Sequence, residues 1–196
     1  MSSKEYSCVK KTKRAFEQSL AELAKELPLN KITVKALCEK AELSRNAFYF
    51  HYSDIYALVE DIENNLISDV ENLIEDFRKI GFPDNVLETI KRLPELLMER
   101  KDITLMLLDS NYSTSFTERL NKLFSDFNYE YFIRYNKTTS REIYDYFYTF
   151  ICDGFYGMLR QMLKNPDSIS IEKFTRLAYT LIKRIIILDD TDLKSN

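Results

Sequence analysis

Residues 33–52 read TVKALCEKAELSRNAFYFHY, and this stretch decides the fold. Thr33 and Ser44 each stand directly before a short run of helix-forming residues, where a hydroxyl oxygen can accept a hydrogen bond from the first turn of a helix. The two caps predict helices over 34–41 and 45–51, with a tight turn at Glu42 and Leu43 between them. A pair of this size matches the helix-turn-helix unit, whose second helix enters the major groove of DNA. Spacing alone is equally compatible with two helices of an ordinary all-α bundle.

The remainder of the chain is also predicted to be helical. Only three Gly and four Pro occur among 196 residues, which favours long helices over hairpins and phosphate-binding loops. Apolar residues recur at helical spacing, and we expect about nine helices. They cover residues 7–27, 34–41, 45–51, 55–79, 85–99, 103–108, 115–135, a segment from a cap at Thr139 to about 163, and 171–188. We therefore predict an all-α protein with a three-helix N-terminal helix-turn-helix domain over 1–54 and a larger helical domain over 55–196.

Composition excludes several classes of protein. No run approaches the roughly 20 apolar residues of a membrane-spanning helix, and the polar N-terminus lacks the apolar core of a signal peptide. Cys8, Cys38 and Cys152 lie far apart and predict reduced thiols in a cytoplasmic protein, not a disulfide framework or a metal site. The single histidine lies inside the stretch quoted above, and no HExxH, GxSxG or glycine-rich phosphate motif occurs. We expect neither an enzyme nor a bound cofactor or metal.

Charge is distributed unevenly along the chain. The formal net charge is −3, but residues 1–53 carry +4 and the remaining residues carry −7. A basic N-terminal third on an acidic body is the asymmetry expected where one small module meets a polyanion.

The side chains of the second short helix have the chemistry of a DNA reader. Arginine pairs bidentately with guanine and asparagine with adenine, so Arg45 and Asn46 are candidates for base contacts. Phe48 and Tyr52 are expected to anchor this helix in the small domain. Hydroxyl, ammonium and imidazole groups can bind the DNA backbone. The candidates for that role are Thr33, Lys35, Ser44, Tyr49 and His51.

The stretch from Ile32 to Asp54 resembles the DNA-binding domain of the TetR/AcrR family of regulators. In that family the pattern ITV…A…A.VSRGTFY.HF.DK..L recurs; this chain has ITV at 32–34 and AELSRNAFYFHYSD at 41–54, within a match over about 11–62. The resemblance implies a homodimer that binds a palindromic double-stranded DNA operator, as a repressor. Residue by residue, it implies phosphate contacts by Thr33, Ser44, Tyr49 and His51, and base contacts by Arg45, Asn46 and Phe50.

Two residues depart from the family pattern. Asn46 stands where the family usually has Gly, Ser, Thr or Pro, so an operator sequence cannot be transferred from relatives. Ile55 replaces the usual Lys at the start of the following helix, which removes one phosphate contact and should flatten the salt dependence by about one charge. Basic residues of the first helix are candidates to compensate: Lys10, Lys11, Lys13 and Arg14.

The C-terminal body resembles the second domain of the family more loosely, best at residues 150–160 and in the final helix. These two segments, about 140–164 and 170–188, resemble the helices that pair with their copies in a dimeric four-helix bundle. Gly154 and Gly157 would each cost about 1 kcal/mol relative to Ala in a helix interior. A close approach across the dimer or over a cavity would offset that cost; glycines that are merely tolerated are the alternative.

Aromatic residues crowd the two helices that precede the final one. A pocket lined by rings and a few hydroxyls would suit a small apolar, aromatic or cationic effector, whereas a packed core and dimer interface is the simpler explanation. Release from DNA by such an effector follows from the resemblance, and a TetR-like co-regulator controlled by a protein partner is the alternative. The candidate ligand-binding residues are Tyr129, Phe132, Tyr148, Cys152, Phe155 and Tyr156.

Overall fold

This computed structural model describes residues 3–79, 84–109, 115–135 and 140–186, and most of these residues are helical. Within these ranges the chain forms nine α-helices and no strand. They are α1 (Ser3–Leu23), α2 (Val34–Ala41), α3 (Arg45–His51), α4 (Ile55–Arg78), α5 (Asp84–Glu99), α6 (Lys101–Leu107), α7 (Ser115–Tyr135), α8 (Arg141–Lys164) and α9 (Ile171–Ile186). Short 3₁₀ turns lie at Leu29–Lys31 and Pro166–Ser168. The predicted all-α class and number of helices are confirmed.

Helix α1 ends at Leu23, four residues earlier than the sequence pattern predicts. Beyond it, the backbone N–H groups of Lys25 and Glu26 bond to carbonyls three residues back instead of four. This tightening is typical of a helix C-terminus. Pro28 follows closely and disfavours helical backbone at the residue before it, so the apolar periodicity outlasts the helix.

Serine hydroxyls make hydrogen bonds at the starts of α7 and α8. Helix α8 is capped by Ser140, whose hydroxyl oxygen accepts from the Ile143 N–H at 3.3 Å; the predicted cap Thr139 lies outside the described residues. Ser115 is the first residue of α7, and its hydroxyl donates to the buried carboxylate of Glu63 at 2.6 Å. This hydrogen bond attaches the first residue of α7 to α4.

The chain divides into two compact units. The first comprises the residues up to Ser68 together with Arg100–Phe116, and the second comprises Asp69–Glu99 together with Thr117–Asn196. Helix α6 thus belongs to the same unit as α1, α2 and α3, and α4 contributes residues to both units. The predicted functional division at residue 54 remains a prediction.

The core of the first unit is built around two phenylalanine rings. Phe16 of α1 and Phe48 of α3 are both fully buried, with ring centroids 5.4 Å apart and planes at 86°, a favourable edge-to-face arrangement. Leu20, Leu37 and Leu58, which are also fully buried, supply apolar side chains from α1, α2 and α4. The predicted anchoring role of Phe48 is confirmed, and α3 is held through its inward face.

Ion pairs attach α6 to α1 in the same unit. The Arg100 guanidinium lies 2.7 Å from the Glu17 carboxylate, and both side chains are largely shielded from solvent. Lys25 pairs with Asp102 at 3.1 Å in a more exposed position. Because the first pair is the better shielded, we expect it to contribute more to docking α6 than the second.

The second unit packs α9 against α5 and α8. Phe155 of α8 meets Phe174 of α9 with ring centroids 6.0 Å apart, and Leu159 is fully buried one turn further along α8. Helix α7 is joined to α8 by the hydroxyl of the buried Tyr144, which donates to the Ser125 carbonyl at 2.9 Å.

Two phenylalanines of α3 provide a matched test of this packing. Phe48→Ala should lower the free energy of unfolding by about 3–5 kcal/mol, because it removes a fully buried ring and leaves a cavity. Phe50→Ala, where the ring is 79% exposed, should change it by no more than about 0.5 kcal/mol. Chemical denaturation followed by circular dichroism measures both. Equal losses in the two variants would contradict the assigned inward face.

Candidate nucleic-acid interface

The turn between α2 and α3 depends on a left-handed residue. Glu42 has φ 54° and ψ 36°, and it is the one non-glycine residue with positive φ in the described ranges. A side chain in this conformation costs about 1 kcal/mol or more. This conformation allows the Leu43 N–H to donate a hydrogen bond to the Cys38 carbonyl at 3.0 Å, which caps the C-terminus of α2. The chain can then start α3 after only three residues.

Both helices of the pair begin at the predicted caps. The Thr33 hydroxyl oxygen accepts from the Ala36 N–H, and the Ser44 hydroxyl oxygen accepts from the Ala47 N–H, each at 3.1 Å. Both cap residues are exposed. Since each hydroxyl oxygen acts as an acceptor here, its O–H can still donate outward. The two helix N-termini therefore present donors to solvent, as phosphate contacts require.

Four candidate side chains share the outward face of α3. Arg45 and Asn46 are exposed in the first turn, and one turn later Tyr49 is 58% and Phe50 is 79% exposed. The side chains of Arg45 and Asn46 make no hydrogen bond or ion pair within the described part of the chain. This cluster, the outer face of α3, is thus available to a partner, whereas Phe48 and Tyr52 are buried behind it.

Lys35 and Ile55 differ in what they can offer a polyanion. Lys35 on α2 is exposed and has only a loose ion pair with Glu39 at 3.8 Å, so its ammonium group remains accessible. Ile55 is 6% exposed and belongs to the core. The position where the family pattern has lysine is therefore part of the apolar interior in this chain.

A carboxylate that the sequence analysis did not single out fixes the end of α3. Asp61 of α4 accepts a hydrogen bond from the Tyr52 hydroxyl at 2.8 Å and pairs with Lys13 of α1 at 2.9 Å through the same oxygen. The Lys13 ammonium group also lies 5.4 Å from the centre of the Tyr52 ring. Three helices therefore meet at Asp61, which lines an open cleft of about 400 Å³ beside His51.

Burial alters the titration of two groups in this cleft. The pKa of His51 is lowered from 6.5, first by burial and then by the positive charge of Lys13, with Asp61 acting in the opposite direction. The pKa of Tyr52 is raised well above its usual value by burial and by the hydrogen bond to Asp61. His51 is therefore mainly neutral at pH 7 and can donate from one ring nitrogen.

The candidate ligand-binding residues of the second unit lie along α7 and α8. Tyr129 packs edge-on against Tyr144 at 4.9 Å, Tyr144 stacks on Tyr148 at 5.4 Å, and the Tyr156 hydroxyl donates to Asn121 at 2.8 Å. Phe155 instead packs on α9, as described above. The side chain of Phe132 lies outside those that the structure describes.

One buried hydroxyl in this aromatic cluster lacks a strong hydrogen-bond partner. The Tyr148 oxygen is buried with no oxygen or nitrogen partner among the described residues. Its neighbour one turn along α8 is Cys152, whose thiol is a weak hydrogen-bonding group. Burial raises the pKa of the Cys152 thiol to about 11, so it is protonated and unreactive at pH 7.

The fold and this interface define an all-helical protein with an N-terminal helix-turn-helix. A family model described as "Transcriptional regulator C-terminal region" (TetR_C_8) matches residues 84–184, which is more than half of the chain. The chain belongs to the TetR family of transcriptional regulators. No curated protein matches it significantly in sequence.

Solved structures of other regulators share the fold. A transcriptional regulator from Aquifex aeolicus VF5 superimposes with a TM-score of 0.62 at 18% identity, covering 89% of this chain and 99% of its own. A TetR transcriptional regulator from Streptococcus agalactiae 2603V gives 0.56 at 21% identity, covering 91% and 97%. NalD, the secondary repressor of the MexAB-OprM multidrug efflux pump in Pseudomonas aeruginosa, gives 0.61 at 12% identity, covering 92% and 98%.

The described ranges contain neither a membrane-spanning helix nor a cluster of metal ligands. None of the helices there is long and apolar enough to cross a membrane. In the same residues, no group of three or more His, Cys, Asp and Glu side chains could hold a metal ion.

Because the chain has a single histidine, its titration can be followed directly. We expect the imidazole C–H signals of His51 to titrate below pH 6.5 in NMR spectra, and Lys13→Met to raise that pKa by removing a neighbouring cation. Because the pKa of His51 is lowered in the folded state, the unfolded chain binds more protons than the folded chain near pH 6. Acidification through this range should therefore reduce the free energy of unfolding of the wild type. The reduction should be smaller in His51→Gln, which lacks the titrating group. A wild-type pKa above 6.5 would contradict the burial assigned to this ring.

Proposed function

We propose that this TetR-family chain binds a palindromic operator as a homodimer in the cytoplasm and represses transcription. The observation that carries the proposal is the outer face of α3, where Arg45, Asn46, Tyr49 and Phe50 are exposed together. Helix α3 is the recognition helix, and its buried face holds it on the rest of the first unit. The finding that the chain belongs to a family of regulators makes double-stranded DNA the partner to test first.

Base contacts are assigned to the start of α3. The Arg45 guanidinium can bind O6 and N7 of guanine, and the Asn46 amide can bind N6 and N7 of adenine. Phe50 lies one helical turn beyond Asn46 on the same face. Recognition of at least one guanine and one adenine per half-site is therefore expected.

Phosphate contacts are assigned to the groups around this helix. The exposed hydroxyls of Thr33 and Ser44 lie at the N-termini of α2 and α3, and the ammonium group of Lys35 belongs to the first turn of α2. Tyr49 and the neutral His51 lie in the last turn of α3. These groups position the recognition helix but do not read sequence. Since Ile55 is buried and Lys13 is paired with Asp61, the exposed cations Lys10, Lys11 and Arg14 are the compensating contacts we propose.

Dimerisation is assigned to α8 and α9. Tyr146 and Phe150, one turn apart on α8, are 76% and 66% exposed, and a Cβ added at Gly157 would meet no atom within 4 Å. Leu177 and Leu181 form a second exposed apolar pair on α9. Aromatic side chains beside a glycine suit a close-packed contact with a second copy. In such a dimer the two recognition helices must stand about 34 Å apart, or a multiple of that distance, to enter successive major grooves.

Control by an effector is the finer part of the proposal. Tyr148, with a buried hydroxyl that lacks a partner, is the observation that favours a small aromatic or apolar ligand with one hydrogen-bonding group in the second unit. Such a ligand would release DNA if it bound better to a dimer with the wrong spacing of recognition helices. A protein partner acting on the same unit is the alternative. Operator affinity measured with the purified chain and a panel of aromatic compounds distinguishes the two.

Loss of a base contact and loss of a phosphate contact should have different signatures. On a duplex selected from a random library, Arg45→Ala should weaken binding by about 1–3 kcal/mol per half-site and relax the preference for guanine at one position. Lys35→Ala should weaken all sequences alike and reduce the slope of log affinity against log salt by about one per subunit. Fluorescence anisotropy at several salt concentrations measures both.

Lys91→Ala, which removes an exposed lysine from α5 in the second unit, is the matched control for charge. It should leave the salt slope unchanged. If Arg45→Ala and Lys35→Ala bound every duplex as the wild type does, the assignment of α3 as the recognition helix would be wrong.

The dimer contact can be tested at a glycine. Gly157→Leu fits the isolated chain, since nothing lies near the added carbon, and it should make α8 a better helix. Across a close contact the new side chain would clash, so we expect a monomeric mass in analytical ultracentrifugation at concentrations where the wild type is dimeric. Phe150→Asp should act in the same way, and Leu87→Asp on α5 is the control. A dimer that survives both α8 substitutions would place the interface elsewhere.

A further inference from the structure

Phe50 stands out among the side chains on the outer face of α3. Its ring is 79% exposed. In the described residues it makes one ring contact, an edge-to-face contact with His51 at 4.9 Å between centroids. A single exposed ring is ordinary on a protein surface. What distinguishes Phe50 is the chemistry of its neighbours.

Those neighbours are polar groups suited to base edges. Asn46 lies one turn before Phe50 on the same face, and Arg45 and Tyr49 complete the cluster. Phe50 has no donor or acceptor, so it can bind neither a phosphate oxygen nor the hydrogen-bonding edge of a base. The apolar group that a base pair presents in the major groove is the C5-methyl group of thymine.

We infer that Phe50 is a specificity-determining residue that contacts the C5-methyl group of a thymine in each operator half-site. The inference rests on the proposed function, because it requires α3 to lie in the major groove. It adds a base that neither Arg45 nor Asn46 selects. A half-site should then contain an A·T pair read through its thymine methyl group, in addition to the G·C and A·T pairs that Arg45 and Asn46 read.

The helix geometry limits where this thymine lies. Four residues of α-helix rise about 6 Å, and successive base pairs of DNA are about 3.4 Å apart. Along the helix axis, the backbone positions of Asn46 and Phe50 are therefore separated by about two base pairs at most. The thymine and the adenine read by Asn46 should fall within this distance of each other.

Replacement of thymine by uracil tests the contact, since it deletes the methyl group and leaves base pairing intact. On a duplex selected by the full chain, each thymine is replaced in turn by uracil and binding is measured by fluorescence anisotropy. With the wild type, one thymine per half-site should lose about three- to fivefold in affinity, and roughly tenfold or more when both half-sites are substituted. With Phe50→Ala, the same replacement should have no effect.

Phe50→Leu is the matched variant, because it keeps an apolar side chain and should retain part of the uracil effect. Uracil penalties that are identical in the wild type and in Phe50→Ala would overturn the inference and leave the proposed function standing. A chain that selects no duplex would refute the proposed function, and the inference with it. A change of oligomeric mass in Phe50→Ala without DNA would assign the ring to a contact between copies and overturn the inference.

Discussion

Helix α3 has only seven residues, too few for a helix to be stable alone in water, so it depends on burying Phe48 against Phe16. That contact holds one face of α3 on α1 and thereby leaves the opposite face to solvent. The α3 side chains assigned to DNA recognition take their positions from this division. The core of the first unit is thus also the support of its interface.

Two further interactions fix the direction of the helix once its inward face is chosen. The left-handed Glu42 sets the angle at which the chain enters α3, and the Asp61 carboxylate holds its exit by binding Tyr52. Since Asp61 also pairs with Lys13, the end of α3 is tied to α1 and α4 together. A short helix held at its start, its middle and its end has little freedom to rotate, which favours selective contacts with base edges.

How much of this could be predicted depends on the range of the interactions. The caps at Thr33 and Ser44 act within three residues, and the sequence pattern located both helices from them. Asp61 and Lys13 are 48 positions apart, and Arg100 and Glu17 are 83 apart, so neither pair leaves a local signal. The crowding of aromatic residues in α7 and α8 was visible in the sequence. That the hydroxyl of Tyr148 is buried without an oxygen or nitrogen partner depends on packing between helices, which periodicity does not encode.

The exposed aromatic rings of the described residues include Phe50 on α3 and Phe150 on α8, and the surroundings of these two rings separate the partners that each can accept. Around Phe50 the neighbours are a guanidinium and an amide, groups that pair with bases and that would be costly to bury without partners in a protein contact. Around Phe150 the neighbours on the exposed face are Tyr146 and glycines, which allow another apolar surface to approach closely. We propose that a polar duplex complements the first surface and that a second copy of the chain complements the other. In that proposed dimer, the apolar surface of α8 and α9 would set the separation of the two recognition helices that a palindromic operator requires.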